Sequence, residues 1–378
     1  MRITIVVTHL LGTGHLARAL TLGRAFVSAG DSVTIISGGT AVPHFDTSGM
    51  AFVQLPPLRS NGTDFSNLLA EDGTPADAAY LSARQATLIE QALGSRPDVL
   101  VTELFPFGRR SLKREFQALL DSASAMPSAP TILSSIRDIL APPSKPSKIT
   151  FADALVDQHY DGVLVHSDPD VVPLDISWPV SDALRSKLHY TGFVAPPPPA
   201  MGHARNDTVL VSAGGGSVGD AVFEAACAAA ALDTDRPWRL LVSGGVERRD
   251  RITGLAPANA LVEEPRPDFR ALLASAHASI SMCGYNTALD ILQTGIRSIF
   301  VPFDDGGEVE QGLRARALDA LPGITVLQQA NLTGPALLTA LTALAQDPDR
   351  APRLSGMGGA NRTVDIVHNL RKGRGHAT

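Results

Sequence analysis

RITIVVTHLLGTGHLARALTLGRAFVSAG, residues 2–30, predicts a β-strand, a glycine-rich turn and an α-helix in succession. The segment Arg2–Thr8 is rich in β-branched residues and has strand length. Apolar side chains then recur at helical spacing at Leu16, Leu20 and Val27, and Gly30 supplies a helix stop. A strand that runs through a glycine turn into a helix opens a βαβ unit, so this segment predicts a parallel sheet.

The alternation of strand and helix continues along the chain and restarts after residue 205. Further strands are predicted at Ser32–Ser37, Ala51–Leu55, Asp98–Thr102, Thr131–Ser135, Gly162–His166, Thr208–Ser212, Arg239–Val242, Ala260–Val262, Ser279–Met282 and Ser298–Val301. Helices are predicted near Asp220–Leu232, Asp268–Ser275, Thr287–Gln293 and Glu310–Ala320. The sequence therefore predicts an α/β protein with two Rossmann-like, doubly wound parallel-sheet domains.

Four consecutive prolines, Pro196–Pro199, separate the two halves, and such a run cannot enter a helix or a central strand. We therefore predict an N-terminal domain over residues 1–195, a proline-rich linker over 196–204 and a C-terminal domain over 205–378. The last helix either stays with the C-terminal domain or packs back on the N-terminal one. Ligands of open parallel sheets lie beyond the carboxyl ends of the strands, so we expect a site in the cleft between the domains.

The composition excludes several classes of protein. The 378 residues are enough for about two domains at roughly 150 residues each. A net charge of −6, from 32 Lys+Arg and 38 Asp+Glu, predicts no general attraction to nucleic acid or anionic lipid. The two cysteines, Cys227 and Cys283, make neither a disulfide framework nor a zinc site. No apolar run reaches signal-peptide form or the roughly 18 to 20 residues of a membrane span, so we expect a soluble cytoplasmic protein.

The first glycine turn, Gly12-Thr13-Gly14-His15, fits the dinucleotide-binding pattern G-x-G-x-x-A. The second strand, however, ends in residues 35–39, IISGG, without the carboxylate that holds the ribose in dehydrogenases. The dehydrogenase interpretation is therefore the weakest. His15 lies at the first turn of the helix, where an imidazole can take a proton from a hydroxyl at neutral pH. The alternative is a structural or helix-capping histidine.

The second glycine turn, Gly214-Gly215-Gly216-Ser217, lies between a strand and an Ala-rich helix. Bare backbone amides and the positive end of a helix dipole suit a phosphate group. A plain tight turn is the alternative.

A third strand end, Ser281–Thr287, carries Gly284, Asn286 and Thr287 into the next helix, with Asp290 one turn further on. A carboxylate there is placed to accept two hydrogen bonds from ribose hydroxyls. Cys283 has no partnered base in view and is interpreted as small and semi-buried.

The next helix begins with Glu310 and Gln311, which could reach sugar hydroxyls. Solvated first-turn side chains are the alternative there.

In the N-terminal half, Glu103 comes just after a strand and is followed by residues 105–110, FPFGRR. With Lys113 and Arg114, Arg109 and Arg110 form the most basic short stretch of the chain. It could hold an anionic acceptor or touch a lipid surface with its two phenylalanines, and a solvated helix start is equally compatible. Arg137 and Asp138 end the next strand and are expected to face the same cleft. Residues 168–170, DPD, resemble a metal-binding D-x-D, but we expect no metal.

Taken together, these residues resemble glycosyltransferases of the two-domain GT-B architecture, of the family-28 type related to the UDP-GlcNAc transferase of peptidoglycan synthesis. The resemblance rests on Gly12–His15 and on the block Ser281–Ala315, with Gly284, Asp290, Gly295, Val301–Phe303, Glu310 and Gln311. A closer resemblance is to an uncharacterised bacterial group of predicted glycosyltransferases, through His9–His15, Phe105–Arg110, Arg137–Leu140 and Gly284–Thr287.

The resemblance implies a UDP-sugar donor held mainly by the C-terminal domain, with Gly12, Thr13 and Gly14 as further donor-binding residues. A hydroxyl acceptor, anionic or lipid-linked, would be held by the N-terminal domain. Asp290 replaces the family's usual Glu as ribose ligand, and Gln311 matches a donor-sugar contact. Glu310 stands where the peptidoglycan enzyme has Gln, and the backbone around Val262–Arg266 would read the uracil edge. No cofactor and no nucleic acid are implied, and the basic stretch leaves room for peripheral contact with the inner membrane face.

The expected reaction is an inverting transfer in which His15, or failing it Glu103, removes the acceptor proton. Backbone amides at Gly214–Ser217 and Gly284–Thr287 would stabilise the UDP leaving group without a metal. Two other hypotheses remain open. Water could be the acceptor, in a UDP-sugar hydrolase or 2-epimerase, or the chain could be a non-catalytic nucleotide-sugar-binding subunit.

Overall fold

The computed structural model describes residues 1–10, 13–43, 45–61, 64–199, 205–214, 218–303, 309–348 and 350–375. The chain forms two compact units. Unit 1 comprises Met1–Val194 and Gly358–Thr378, and unit 2 comprises Ala195–Met357. None of the helices within the described ranges combines the length and the apolar composition needed to cross a membrane.

Unit 1 is built on a seven-stranded parallel sheet with the strand order β3-β2-β1-β6-β7-β8-β9. Its strands are β1 (Arg2–Val7), β2 (Ser32–Ser37), β3 (Ala51–Gln54), β4 (Arg59–Asn61), β5 (Asp64–Leu69), β6 (Val99–Glu103), β7 (Thr131–Arg137), β8 (Gly162–His166) and β9 (Leu188–Tyr190). The helices are α1 (Gly14–Ser28), α2 (Ala78–Leu93), α3 (Lys113–Ser124), α4 (Pro146–His159) and α5 (Asp182–Arg185). Strands β4 and β5 form a separate antiparallel pair.

The central strands of unit 1 are buried along nearly their whole length, as expected for a parallel sheet that helices cover on both faces. One hydrophobic cluster packs α3 and α4 against one face, around Phe105, Phe116 and Trp178. The other places Leu16 and Phe26 of α1 against the opposite face. The continuous aliphatic runs seen in the sequence are therefore the strands of a two-sided core.

Unit 2 has a six-stranded parallel sheet with the order β12-β11-β10-β13-β14-β15. Its strands are β10 (Val209–Ser212), β11 (Trp238–Leu241), β12 (Ala260–Glu263), β13 (Ala278–Ser281), β14 (Arg297–Phe300) and β15 (Ile324–Val326). The helices are α6 (Asp220–Leu232), α7 (Val246–Thr253), α8 (Phe269–Ser275), α9 (Tyr285–Thr294), α10 (Glu310–Leu318) and α11 (Gly334–Leu344). Gly295 ends α9 with a φ of 65°, and a Cβ there would come within 2.5 Å of the Arg350 carbonyl oxygen, so this turn requires glycine.

The last helix, α12 (Gly359–Gly375), belongs to unit 1. Its Val364 and Val367 join the hydrophobic cluster of α1, and His368 Nε2 lies 2.7 Å from Asp31 Oδ2. The chain thus leaves unit 1 after Val194 and returns to it at Gly358.

Both sheets reverse their strand order beside their first strand. In unit 1 the chain builds outward from β1 through β2 to β3 and then places β6 on the other side of β1. In unit 2, β10 likewise lies between β11 and β13. Such switch points, at the carboxyl ends of the strands, are where doubly wound sheets bind ligands. The predicted fold class is confirmed.

Candidate active site

The switch point of unit 1 joins His15 to Glu103. His15 is the second residue of α1 and Glu103 is the last residue of β6, and β6 pairs with β1. His15 Nδ1 lies 2.7 Å from Glu103 Oε1. Arg18, one turn further along α1, places Nη2 2.5 Å from the same oxygen. The structure therefore brings together the two side chains that the sequence proposed as alternative bases.

Burial fixes the charge state of this pair. The side chains of Glu103 and His15 are 2% and 17% exposed. Desolvation lowers the pKa of His15 to about 4, although the carboxylate of Glu103 opposes that shift. Burial alone would raise the pKa of Glu103, but His15, Arg18 and Arg109 outweigh it and hold that pKa well below its usual range. At neutral pH the carboxylate is ionised and the imidazole is neutral.

The hydrogen bond also fixes the tautomer of His15. An ionised carboxylate can only accept, so Nδ1 must carry the ring hydrogen and Nε2 keeps its lone pair. Within the described part of the chain, no residue forms a hydrogen bond with Nε2. The geometry is that of an oriented base that can accept a proton from a hydroxyl.

The loop after Glu103 holds an unusual backbone. Leu104 and Arg109 adopt positive φ values of 67° and 55°, a conformation that costs on the order of 1–3 kcal/mol for a residue other than glycine. Arg109 Nε donates to the Thr8 carbonyl oxygen at 2.5 Å and so ties this loop to the end of β1. Such backbone persists where the surrounding structure enforces it, and it is enriched at ligand sites.

The alternative in which the two phenylalanines of this loop touch lipid is wrong. Phe105 and Phe107 are 0% and 2% exposed. Phe105 stacks on Phe116 with ring centres 4.6 Å apart, and Phe107 meets Trp178 edge-on at 5.2 Å. Both rings belong to the core because the loop turns back against α3, a tertiary contact that composition does not reveal.

The basic residues of this loop and of the end of β7 lie in different surroundings. Arg110 donates from Nη1 to the Phe107 carbonyl oxygen at 2.8 Å, and burial lowers the pKa of its guanidinium. Arg137 ends β7, two residues beyond Ser135, which is the sheet partner of Glu103. The next residue, Asp138, is 1% exposed. The positive charges of Arg109 and Arg137 both lower the pKa of His15, so these two arginines lie near the His15–Glu103 pair.

A buried histidine that the sequence did not single out as functional lies two strands away from Glu103 in the sheet. His166 ends β8, is 0% exposed, and bonds Ser135 Oγ at 2.8 Å and Thr191 Oγ1 at 2.9 Å. Burial lowers its pKa to about 3. The only sign of this residue in the sequence is a histidine at the end of an apolar strand. The three-dimensional contacts are needed to show that it is neutral and hydrogen-bonded.

The glycine turns are described only in part. Gly12, Gly215, Gly216 and Ser217 lie outside the described residues. Thr13 is the N-cap of α1, and Gly14 begins the helix with open space at the position of a Cβ. Gly214 follows β10 with a φ of 76°, which glycine adopts without strain.

The start of α9 forms the switch point of unit 2. Gly284 is its N-cap without a side-chain cap bond, and a Cβ added there would meet nothing within 4 Å. Asn286 and Thr287 occupy the first turn, which carries no acidic residue among the described ones. The first-turn amides and the dipole of α9 together favour an anion at this position.

Asp290, the predicted ribose ligand, is already engaged. It is 8% exposed, and Arg270 Nε lies 2.7 Å from its Oδ1. Burial raises the pKa of Asp290, against the opposing effect of Arg270. The same guanidinium donates to the Pro197 carbonyl at 2.6 Å, and Gln293 donates to that of Pro196 at 2.9 Å. Sequence reasoning missed Arg270, because the pairing joins α8 to α9 across 20 residues.

The remaining candidates take local roles. Gln311 accepts a hydrogen bond from the Phe303 amide at 3.2 Å, beside Glu310 at the start of α10. Cys283 is 0% exposed, which is more buried than the semi-buried thiol that the sequence predicted. Asp168 Oδ1 accepts a hydrogen bond from the Asp170 amide at 3.0 Å. Across the described ranges, no three His, Cys, Asp or Glu side chains gather into a group that could hold a metal ion.

Comparison with known proteins adds family information to this geometry. The glycosyltransferase family 28 C-terminal domain matches residues 265–370. Two relatives carry the name UDP-N-acetylglucosamine–N-acetylmuramyl-(pentapeptide) pyrophosphoryl-undecaprenol N-acetylglucosamine transferase. The one from Desulforudis audaxviator is 33% identical over 31% of this chain and 32% of its own. The one from Acidithiobacillus ferrooxidans is 28% identical over 49% of this chain and 53% of its own. The chain thus spans about a third to a half of the length of these relatives.

Solved structures match over nearly the whole chain. MurG of Acinetobacter baumannii has a TM-score of 0.62 at 15% identity, with coverage of 98% of this chain and 100% of its own. The calicheamicin glycosyltransferase CalG4 has a TM-score of 0.65 at 17% identity, with 98% coverage of both chains. At these identities the likeness establishes the fold. Residues 265–370 are thus similar to the C-terminal domain of family-28 glycosyltransferases, and the chain as a whole has the GT-B fold of these solved structures.

Proposed function

We propose that this protein transfers a hexose or N-acetylhexosamine from a UDP-sugar to a hydroxyl acceptor, with inversion at the anomeric carbon. The observation that carries the proposal is the buried His15–Glu103 pair, in which Nε2 of a neutral, oriented imidazole is ready to accept a proton. The names of the relatives, which describe N-acetylglucosamine transfer, support the choice of donor class.

The proposed reaction is a single displacement. The acceptor oxygen forms a bond to the anomeric carbon while the bond from that carbon to the UDP oxygen breaks. The acceptor proton passes to His15 Nε2, and the bonding electron pair leaves with UDP. Glu103 holds the ring and stabilises the imidazolium that forms. With a pKa well below its usual range, Glu103 itself is too weak a base for this step.

Unit 2 would hold the donor. The N-terminus of α9 and the turn at Gly214 offer main-chain amides to the diphosphate. Asp290 and Gln311 are the candidate contacts to the ribose and the sugar. Asp290 would accept from the ribose hydroxyls in addition to Arg270, or in place of it.

We further propose that the acceptor carries an anionic or lipid-linked group and that the protein meets the inner membrane face peripherally. Arg109 and Arg137 lie near the His15–Glu103 pair, and their positive charges favour an anionic acceptor. The relatives' names, which include a pyrophosphoryl-undecaprenol acceptor, support the lipid.

The experiment that tests the donor class is a thermal-shift panel of nucleotides and nucleotide sugars. A ligand present at about 100 times its dissociation constant stabilises the folded protein by roughly 2.7 kcal/mol, a shift of a few degrees. We expect UDP and one UDP-sugar to raise the melting temperature and NAD to leave it unchanged. A response to NAD alone would overturn the proposal. With the donor identified, UDP release that no acceptor accelerates would instead favour a hydrolase or 2-epimerase.

We propose that the leaving group departs without a divalent metal. Main-chain amides at the two switch-point turns would instead stabilise its negative charge. Turnover in an excess of EDTA should therefore equal turnover without it. A strict requirement for added Mg²⁺ or Mn²⁺ would contradict this part of the mechanism.

A further inference from the structure

Arg18 is a buried arginine of α1 to which the proposed reaction assigns no step. It lies one helical turn after His15 and is 7% exposed. Its Nη2 lies 2.5 Å from Glu103 Oε1 and 3.3 Å from His15 Nδ1. One nitrogen of the guanidinium therefore contacts both members of the His15–Glu103 pair.

The charges of these three groups balance when the imidazole is neutral. Glu103 carries one negative charge and Arg18 one positive charge, and their side chains are only 2% and 7% exposed. An uncompensated charge in such a site is strongly unfavourable, so a carboxylate left there without its arginine would favour the uptake of a proton. The positive charge of Arg18 removes that demand.

The proton would go to one of two groups, and both results would remove the base. A protonated imidazole carries hydrogen on both ring nitrogens, so Nε2 has no lone pair left. A protonated Glu103 becomes a donor, which can reverse the hydrogen bond and move the ring hydrogen of His15 to Nε2. The form of His15 that can accept a proton thus depends on the charge beside Glu103.

Other charged and titratable groups act on the pair from the neighbouring elements. They are Arg109 after β6, Arg137 at the end of β7, His166 at the end of β8 and His9 after β1. Burial lowers the pKa of both of these histidines, which favours neutral rings at pH 7. The two arginines add positive charge nearby. Arg18 adds a direct contact with the carboxylate, which fixes its charge and its position together.

We propose that Arg18 is a positioning residue that balances the charge of Glu103 and so keeps His15 neutral, with hydrogen on Nδ1 and a lone pair on Nε2. The consequence for transfer rests on the role of His15 proposed above. The form of the ring can be measured without any substrate, so the two proposals can fail separately.

The test follows the His15 ring by nitrogen-15 NMR from about pH 8 to about pH 5 in Arg18→Gln, with His15→Gln to identify its signals. Glutamine keeps a donor for the carboxylate and removes the charge. Loss of a neighbouring charge moves a pKa by about 1–3 pH units, so the variant should lose the neutral form with Nδ1–H between about pH 7 and 5. The wild-type ring, with a pKa of about 4, should keep it.

Arg24→Gln is the matched control, because Arg24 is exposed on the same helix and should leave the ring as in the wild-type protein. The pH profile of transfer gives a second measurement. In Arg18→Gln the acid limb of kcat/KM should move up by at least about one pH unit, and Arg18→Lys, which keeps the charge, should hold it nearer to the wild-type position.

A merely structural Arg18 would lower the rate equally at every pH. That result, with the wild-type form of the ring kept down to about pH 5 in Arg18→Gln, would overturn the proposal. If Arg18→Gln does not fold, the NMR titration of Arg18→Lys decides. A neutral ring with Nδ1–H down to about pH 5 supports the charge balance, and loss of that form at higher pH contradicts it.

Failure of the proposed function has a different signature. A wild-type ring that is neutral with Nδ1–H, in a protein that transfers sugar to no acceptor, would count against the glycosyl transfer and leave the charge balance intact. A wild-type ring that is protonated at pH 7 would overturn the charge balance itself.

Discussion

The chemistry of the candidate site depends on a single desolvated imidazole. In water a histidine with a pKa near 6.5 is part protonated at neutral pH, and a protonated ring cannot act as a base. At position 15, burial removes that protonated fraction, and the Glu103 carboxylate selects the tautomer. The ring is thus kept neutral by its surroundings and oriented by one hydrogen bond.

We predict that His15→Ala lowers kcat by about 10²–10⁴, because the acceptor proton then has no positioned base. The shift in melting temperature produced by UDP should stay unchanged, since His15 belongs to unit 1. His159→Ala, at the end of α4, is the control and should retain activity. A His15→Ala variant that turns over at the wild-type rate would remove His15 from the mechanism.

The pH profile of the wild-type protein gives a second prediction at this scale. A base with a pKa lowered to about 4 stays deprotonated from pH 7 down to about 5 and is lost as the pH falls through about 4. We expect kcat/KM to be level down to about pH 5, with the acid limb below it, when measured in brief assays. An acid limb near pH 6.5 would show that burial does not control the ring.

At the scale of elements, α12 completes the core of unit 1 although it lies at the far end of the chain. Val367 is 0% exposed among the residues of β1 and α1, and the bridge between Val194 and Gly358 brings the helix to that position. An amphipathic helix at residues 359–375 fits either domain by its pattern alone. The packing partner of this helix depends on which domain leaves an apolar surface uncovered.

We predict that Val367→Ala destabilises the protein by about 1–3 kcal/mol, through the lost burial and the cavity left against α1. Thermal unfolding in the presence and absence of UDP measures it. The increment that UDP adds to the melting temperature should persist, because the change lies in unit 1. Asn369→Ala, exposed on the same helix, is the control. Equal stability of the two variants would mean that α12 does not pack as described.

At the scale of the whole molecule, two histidines at the carboxyl-end side of the unit 1 sheet make the fold sensitive to acid. His15 and His166 are neutral in the fold, with pKa values near 4 and 3. In the unfolded chain a histidine titrates near 6.5. Below that pH the unfolded state binds more protons than the folded one, so stability falls as the pH falls from 6.5 toward the folded pKa.

We predict that a shift from pH 7.5 to 5.0 lowers the free energy of unfolding by about 2 kcal/mol through His166 alone, since about 1.5 pH units lie below its unfolded pKa. His166→Gln should be less stable at pH 7.5 but lose less between the two pH values. Denaturant unfolding at both pH values measures the difference. An unchanged pH dependence in the variant would show that His166 is not neutral in the fold.

The sequence by itself determined the local periodicities, because strand and helix patterns follow from side chains within a few residues of one another. β2, β8 and α6 have the predicted bounds, and the glycine turns and His15 follow from the same local chemistry. Only the tertiary structure decided which residues distant in sequence contact one another. It joined His15 to Glu103 across 88 residues, buried Phe105 and Phe107, paired Asp290 with Arg270 and returned α12 to unit 1. The physical reason is that sheet order and desolvation depend on segments far apart in the chain, and these set the partners and the charge states that make a site.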